Sequence, residues 1–188
     1  MSHNPFPDRF AFILNNPIRR YLYPPEDVVS KLHVSSIDVV VDFGCGPGFL
    51  TIPLAKVARR AIVVDVSPHM LRKAASCAKK NRLVVELLQS DGTEIKIADA
   101  SVDLILLGHV FHEVEDRRRV LNEFFRIMKP SGRLAIIEKT RGGRIFPGKL
   151  GPPIVRVEEI VREIEQATFK PIETIHLGKD TIVISGKM

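Results

Sequence analysis

The 188-residue chain reads as α/β, built on a doubly wound and mostly parallel sheet with helices on both faces. Three observations predict it. Val39-Val40-Val41-Asp42-Phe43 is a β-branched run that breaks at Gly44-Cys45-Gly46-Pro47-Gly48 and leads into a helical pattern with Leu50, Ile52, Leu54 and Val57. Buried parallel strands have this continuous apolar character. Apolar runs and helical patterns then alternate along most of the chain, as in βαβ units. The last two runs are separated only by Gly178-Lys179-Asp180, a link short enough to allow an antiparallel pair alone.

The elements follow in order. An aromatic arm, residues 1–24, carries Phe6, Phe10, Phe12, Tyr21 and Tyr23 and is a candidate lid over a ligand site. Pro25-Glu26-Asp27 opens a helix with proline and acids in its first turn. After the strand ending at Phe43 comes a second, Ala61-Ile62-Val63-Val64-Asp65. Ser67-Pro68 supplies an N-cap and a first helical residue. A third strand is expected over Leu83–Leu88, a fourth over Val102–Gly108, a helix from Asp116 to Met128 and a fifth strand from Arg133 to Glu138. Val157, Ile160, Val161, Ile164 and Ala167 fall at helical spacing. Pro171–Leu177 and Thr181–Ser185 complete a set of seven strands.

Composition bounds the function. The length suits a single domain over 1–188, with no stretch that reads as a dividing linker. Two cysteines are too few for a disulfide framework. Phe10-Ala11-Phe12-Ile13-Leu14 is too short for a secretion core, and no run is long enough to cross a bilayer, so a cytoplasmic protein is expected. The formal net charge of +6 permits an anionic partner without demanding one. Arg117-Arg118-Arg119 and Lys79-Lys80 with Arg82 read as solvated helix exteriors, whereas Lys139 through Lys149 follows the fifth strand and is the better candidate for meeting an acidic substrate. No His/Cys/carboxylate spacing suggests a metal, since His112-Glu113 lacks a second zinc-helix histidine.

The glycine loop locates a ligand. Glycines let the chain turn at the strand's end and approach a group that a Cβ would exclude, so a nucleotide-like ligand is expected above Asp42, Gly44, Gly46 and Gly48. A dinucleotide loop requires G-x-G-x-x-G, and Phe49 occupies the third glycine's place. Asp65, at the tip of the next strand, is positioned to accept both hydroxyls of a ribose; Ser67 already caps the helix, which leaves Asp65 available for a ligand.

Asp42-Phe43-Gly44-Cys45-Gly46-Pro47-Gly48 resembles motif I of the class I S-adenosylmethionine-dependent methyltransferases. Lys129-Pro130-Ser131-Gly132 resembles the family's "LKPGG" turn before strand five, with Ser131 in place of a glycine. The likeness runs from about Val28 to the end. It implies a seven-stranded, mostly parallel sheet with one antiparallel strand in the edge region. It implies S-adenosylmethionine as cofactor, held by Asp42, Gly44, Cys45, Gly46, Pro47, Gly48, Asp65, Val66, Met70, Ser90, Asp91, Gly92 and Gly108, with Asp91 on the adenine amino group. Asp-Gly at this point is also ordinary turn chemistry.

The loop after strand four, where the family places substrate-facing residues, carries His109 and His112, and Glu138 ends strand five. These three are the candidate catalytic residues for an acceptor that must lose a proton. Base-amine methylation is set aside because Gly108-His109-Val110-Phe111 replaces an Asn/Asp-Pro-Pro-aromatic run. Pyrimidine-carbon methylation is set aside because neither Cys45 nor Cys77 follows strand four. The expected function is methyl transfer to an unidentified acceptor, a small molecule in first place. RNA or protein methylation and a non-catalytic S-adenosylmethionine-binding module are the alternatives.

Overall fold

The structure, a computed structural model, describes residues 24–141 and 154–188. The aromatic arm up to residue 23 and most of the basic run, 142–149, lie outside the described residues. Among the described residues seven strands form one sheet in the order β3-β2-β1-β4-β5-β7-β6. They are β1 (Val39–Phe43), β2 (Arg60–Asp65), β3 (Glu86–Gln89), β4 (Val102–Gly108), β5 (Met128–Lys139), β6 (Phe169–Leu177) and β7 (Asp180–Lys187). β1 to β5 pair in parallel, while β7 runs antiparallel to both β5 and β6. The reversed strand is thus one place in from the edge, as the short link before it requires.

Side chains alternate across each strand, and the two faces hold different helices. Val39, Val41 and Phe43 join Ile62, Val64, Ile105, Leu107, Leu134 and Ile136 beneath α4 (Arg117–Ile127) and α5 (Val157–Gln166). Val40, Leu104, Leu106, Ala135 and Ile137 face α1 (Pro25–Ser30) and α2 (Thr51–Val57). On that same side Val63 meets Leu71 and Ala74 of α3 (Pro68–Lys80). Asp42 and Asp65 follow Val40 and Val63 on this second face.

Two boundaries differ from expectation. β3 begins at Glu86, not Leu83, because the chain is still closing α3: Arg82 has φ +59°, and Leu83 N–H donates to Ala78 O at 3.0 Å. Val84 is left 89% exposed, so its apolar character marks an approach to the sheet edge and no buried strand. β5 begins earlier than Arg133, since Met128 already pairs with Val102 and a register shift follows before Leu104 pairs with Arg133. Gly132 makes that irregularity possible, as a Cβ there would lie 2.9 Å from Val102 O. α4 matches its expected span, with Asp116 as the N-cap accepting from Arg119 N–H at 3.0 Å.

Arg117 departs from the expected solvated charge. Its guanidinium donates to Glu163 at 2.6 Å and to the Phe111 carbonyl at 3.1 Å, and lies 4.8 Å from the centre of the Phe111 ring. It bolts the turn after β4 to α5. Among the described residues no helix is long and apolar enough to cross a membrane.

Candidate functional site

The crevice forms where the strand order reverses, between β1 and β4, because the crossovers leave these two tips in opposite directions. On the β1 side the loop turns back on β2, with Gly44 and Cys45 N–H donating to Val64 O at 2.8 and 3.2 Å. Gly44, Gly46 and Gly48 all have positive φ, +68°, +51° and +92°. Their surroundings separate their roles. A Cβ on Gly44 would come 2.5 Å from Val110 Cγ2, and one on Gly48 3.3 Å from Ala74 Cα, so both glycines permit close packing. A Cβ on Gly46 would meet nothing within 4 Å. Open space over a left-handed backbone is what a ligand approaching the loop needs.

Asp65 is not free in the sense expected from the sequence. Its Oδ2 accepts from Gly46 N–H and its Oδ1 from Ser67 N–H, each at 2.9 Å. The carboxylate therefore fixes the loop to the tip of β2. Ser67 caps α3 as expected, accepting from Met70 N–H at 3.3 Å. Met70 is buried, while Val66 is 46% exposed at the rim.

Asp42 lies beneath the loop, 4% exposed, with Oδ2 accepting from Thr51 Oγ1 at 2.5 Å. Burial pushes its pKa up to about 7; the Thr51 hydroxyl opposes the shift and the nearby Asp65 charge adds to it. Burial likewise pushes the Cys45 thiol well up, with help from Asp42 and Asp65, so Cys45 is a packed thiol of low reactivity. Pro47 is buried beside it in the loop.

The β3 end is a compact turn. Asp91 Oδ1 accepts from Thr93 N–H at 2.9 Å and Thr93 Oγ1 at 2.8 Å, which holds its carboxyl below the usual range. Ser90 Oγ donates to Glu94 O and accepts from Gly92 N–H. A Cβ on Gly92 would strike the Phe43 ring at 2.6 Å, and one on Gly108 would strike Leu50 Cδ1 at the same distance. Both glycines have packing reasons.

Across the crevice, the β4 tip continues through His109 (φ +58°), whose N–H donates to Ile137 O at 2.8 Å. Its Nε2 lies 3.4 Å from Asp180 Oδ2, at the start of β7. A short 3-10 turn, Phe111–Glu113, then places His112 over Glu138. Glu138 is fully buried; its Oε1 accepts from His112 N–H at 3.1 Å, and its Oε1 and Oε2 lie 3.0 and 2.9 Å from His112 Nδ1. The structure thus brings His112 and Glu138 together and gives His109 a separate carboxylate. Thr51, Val110 and Asp180 are the partners that sequence reasoning missed. Thr51 sits one turn past the loop where a strand-tip acid would find a donor; nothing in the local pattern signals Asp180. No cluster suited to a metal occurs among the described residues.

Residues 41–136 match the model of a methyltransferase domain family. A demethylmenaquinone methyltransferase of Lactobacillus johnsonii is 33% identical over 59% of this chain and 48% of its own length. An uncharacterized methyltransferase of Mycobacterium tuberculosis is 33% identical over 75% of this chain and 56% of its own. The chain spans about half the length of these curated relatives. The crystal structure of a SAM dependent methyltransferase from Aquifex aeolicus superposes with a TM-score of 0.88 at 27% identity, covering 98% of this chain and 100% of that one.

Proposed function

The chain belongs to the class I S-adenosylmethionine-dependent methyltransferases, and from that membership we propose that it binds S-adenosylmethionine in the β1–β4 crevice and transfers its methyl group to a small molecule. The observation that carries this reading is the pairing of the open Gly46 with two strand-tip carboxylates, Asp42 and Asp65, on one face. Asp42 and Asp65 bring two acidic groups close enough at these tips for one to act on the other. A nicotinamide dinucleotide, with its anionic pyrophosphate, fits that charge badly. When bound, S-adenosylmethionine supplies an electrophilic methyl on a sulfonium that leaves as a neutral thioether.

The protein's own contribution is then placement. Gly46 admits the ligand to the loop, Asp65 holds the loop on the ribose side, and Asp91 stands on the adenine side. Alignment of reacting groups can lower a barrier by about 7–11 kcal/mol. On the acceptor side Glu138 holds Nδ1 of His112 as a proton donor, and Nε2, 3.7 Å from Glu113 Oε1, is the nitrogen that takes a proton from an acceptor hydroxyl. A small acceptor accords with the relatives named for demethylmenaquinone methylation.

Two measurements test this. Calorimetry with S-adenosylmethionine should show one site, and radiolabelled methyl donor with fractionated extract should put label into small metabolites. Label appearing in RNA or protein would reassign the acceptor. Binding with no transfer to any fraction would leave a ligand-binding module in place of an enzyme.

A further inference from the structure

The amino ends of β1, β2 and β3 form one corner of the sheet, at the end opposite the crevice. Ile37, Val57 and Val84 are exposed there, by 74%, 42% and 89%. They reach it from three separate segments. Ile37 precedes Asp38, whose carbonyl accepts from Arg59 N–H at 3.0 Å, and Val57 ends α2 two residues before Arg59. Val84 stands two residues before Glu86, whose carboxylate accepts from the Arg60 guanidinium at 2.5 Å. α3 closes on the same corner, where Arg82 N–H donates to Lys79 O and Leu83 N–H to Ala78 O, each at 3.0 Å. Arg59, Arg60, Lys79, Lys80 and Arg82 are all exposed. Glu86 answers Arg60, and the acids at the starts of neighbouring strands, Asp38 and Asp103, have cations of their own in Arg133 and Lys129. A single exposed aliphatic side chain is ordinary, but three set among five cations make a mixed basic and apolar surface.

We propose that this corner docks on an anionic lipid surface. Branched aliphatic side chains enter the boundary between headgroups and acyl chains, while lysine and arginine lay their stems along it and keep their charges with the lipid phosphates. A nucleic acid would meet the charge but not the apolar groups, because isoleucine and valine offer no ring on which a base stacks. The corner is separated from the glycine loop and Asp65 by the lengths of β1 and β2, about 16–20 Å at a rise of about 3.3 Å per residue. Docking therefore leaves the crevice facing water, and its ligands enter from that side. The attachment is peripheral and reversible, and salt weakens it: the screening length falls from about 10 Å at 0.1 M to about 3 Å at 1 M.

The chain has no tryptophan, so Val84→Trp provides a single fluorescent reporter at the corner. Its emission should move to the blue on vesicles of phosphatidylcholine and phosphatidylglycerol at low salt, and return at about 1 M salt. Vesicles of phosphatidylcholine alone should leave it unchanged. Arg118→Trp, which puts the reporter on the exposed side of α4, should show no shift on either vesicle. Co-sedimentation of the wild-type chain gives the affinity. Combining Lys79→Gln, Lys80→Gln and Arg82→Gln should lower it about 100-fold, from about fivefold for each basic side chain near an anionic surface. That variant should stay folded and bind S-adenosylmethionine as the wild type does, because its three changes are exposed and lie away from the crevice. Wild-type protein that stays in solution with anionic vesicles overturns the proposal, as does equal binding to neutral ones or a triple variant that sediments undiminished. Salt-sensitive binding of single-stranded RNA without sedimentation on anionic vesicles overturns it too, and assigns the corner to nucleic acid.

Discussion

Replacing Gly46 by alanine should separate ligand approach from folding. Gly46 has φ +51° and a Cβ direction that meets nothing within 4 Å. The steric cost to the free protein is therefore the left-handed backbone alone, about 1–2 kcal/mol for an L-residue. Loss of glycine's freedom in the unfolded chain returns about 0.4–1 kcal/mol of this. The net is about 1 kcal/mol, a fall in Tm of about 2–4 °C for a chain of this size. In the proposed site, however, the new methyl group would stand in the open space where the ligand meets the loop. Affinity for S-adenosylmethionine should drop by at least tenfold, about 1.4 kcal/mol or more. Gly44→Ala is the contrasting variant, since its Cβ would collide with Val110 at 2.5 Å. Overpacking adds about 1–3 kcal/mol to the same backbone cost, so stability suffers first. Thermal melts and calorimetry on both variants give the comparison. A folded Gly46→Ala protein that binds with native affinity would refute the reasoning, because the ligand would then not approach this loop.

Other outcomes follow from the same geometry. In the free protein burial lets Asp42 keep its proton to about pH 7, while the unfolded chain loses it near the ordinary carboxyl value of 3.8. The native state therefore binds more protons through this window, and stability falls as pH rises. Urea unfolding should show wild type losing about 2.5 kcal/mol relative to Asp42→Asn between pH 5 and 8; a constant difference would remove the buried acid from the argument. Asp65→Ala frees the N–H groups of Gly46 and Ser67 and should weaken cofactor binding by about 1.5–3 kcal/mol, read by calorimetry. Native affinity in that variant would show that neither the loop anchor nor a ribose contact matters. Glu138→Gln places an amide against His112 Nδ1 inside a fully buried site. A loss of about 1–3 kcal/mol in stability is expected, with the imidazole tautomer seen by NMR moving its proton to Nε2.

Local chemistry was legible wherever neighbours in sequence are neighbours in space. The Val39–Phe43 strand, its glycine break, the Ser67-Pro68 cap and the hairpin about Gly178 were all readable, because backbone sterics and capping bonds act over a few residues. The Leu83-Val84-Val85 run was misleading, since an apolar pattern reports burial only if another element covers it, and Val84 lies at an open sheet edge. Arg117 looked like surface charge because its partners, Glu163 and the Phe111 carbonyl, belong to other elements.

By itself, then, the amino-acid order determined the alternating strands and helices, the loop that a ligand can approach, and the acids and histidines at the strand tips. Which of those polar groups act on one another was decided by the tertiary structure alone. Asp65 became the loop's anchor, Asp42 a buried acid under Thr51, and Glu138 the seat of His112 only when parallel pairing set β1, β2, β4 and β5 in register. Hydrogen bonds and desolvation depend on a few ångströms between distant parts of the chain, and only the folded sheet sets those distances.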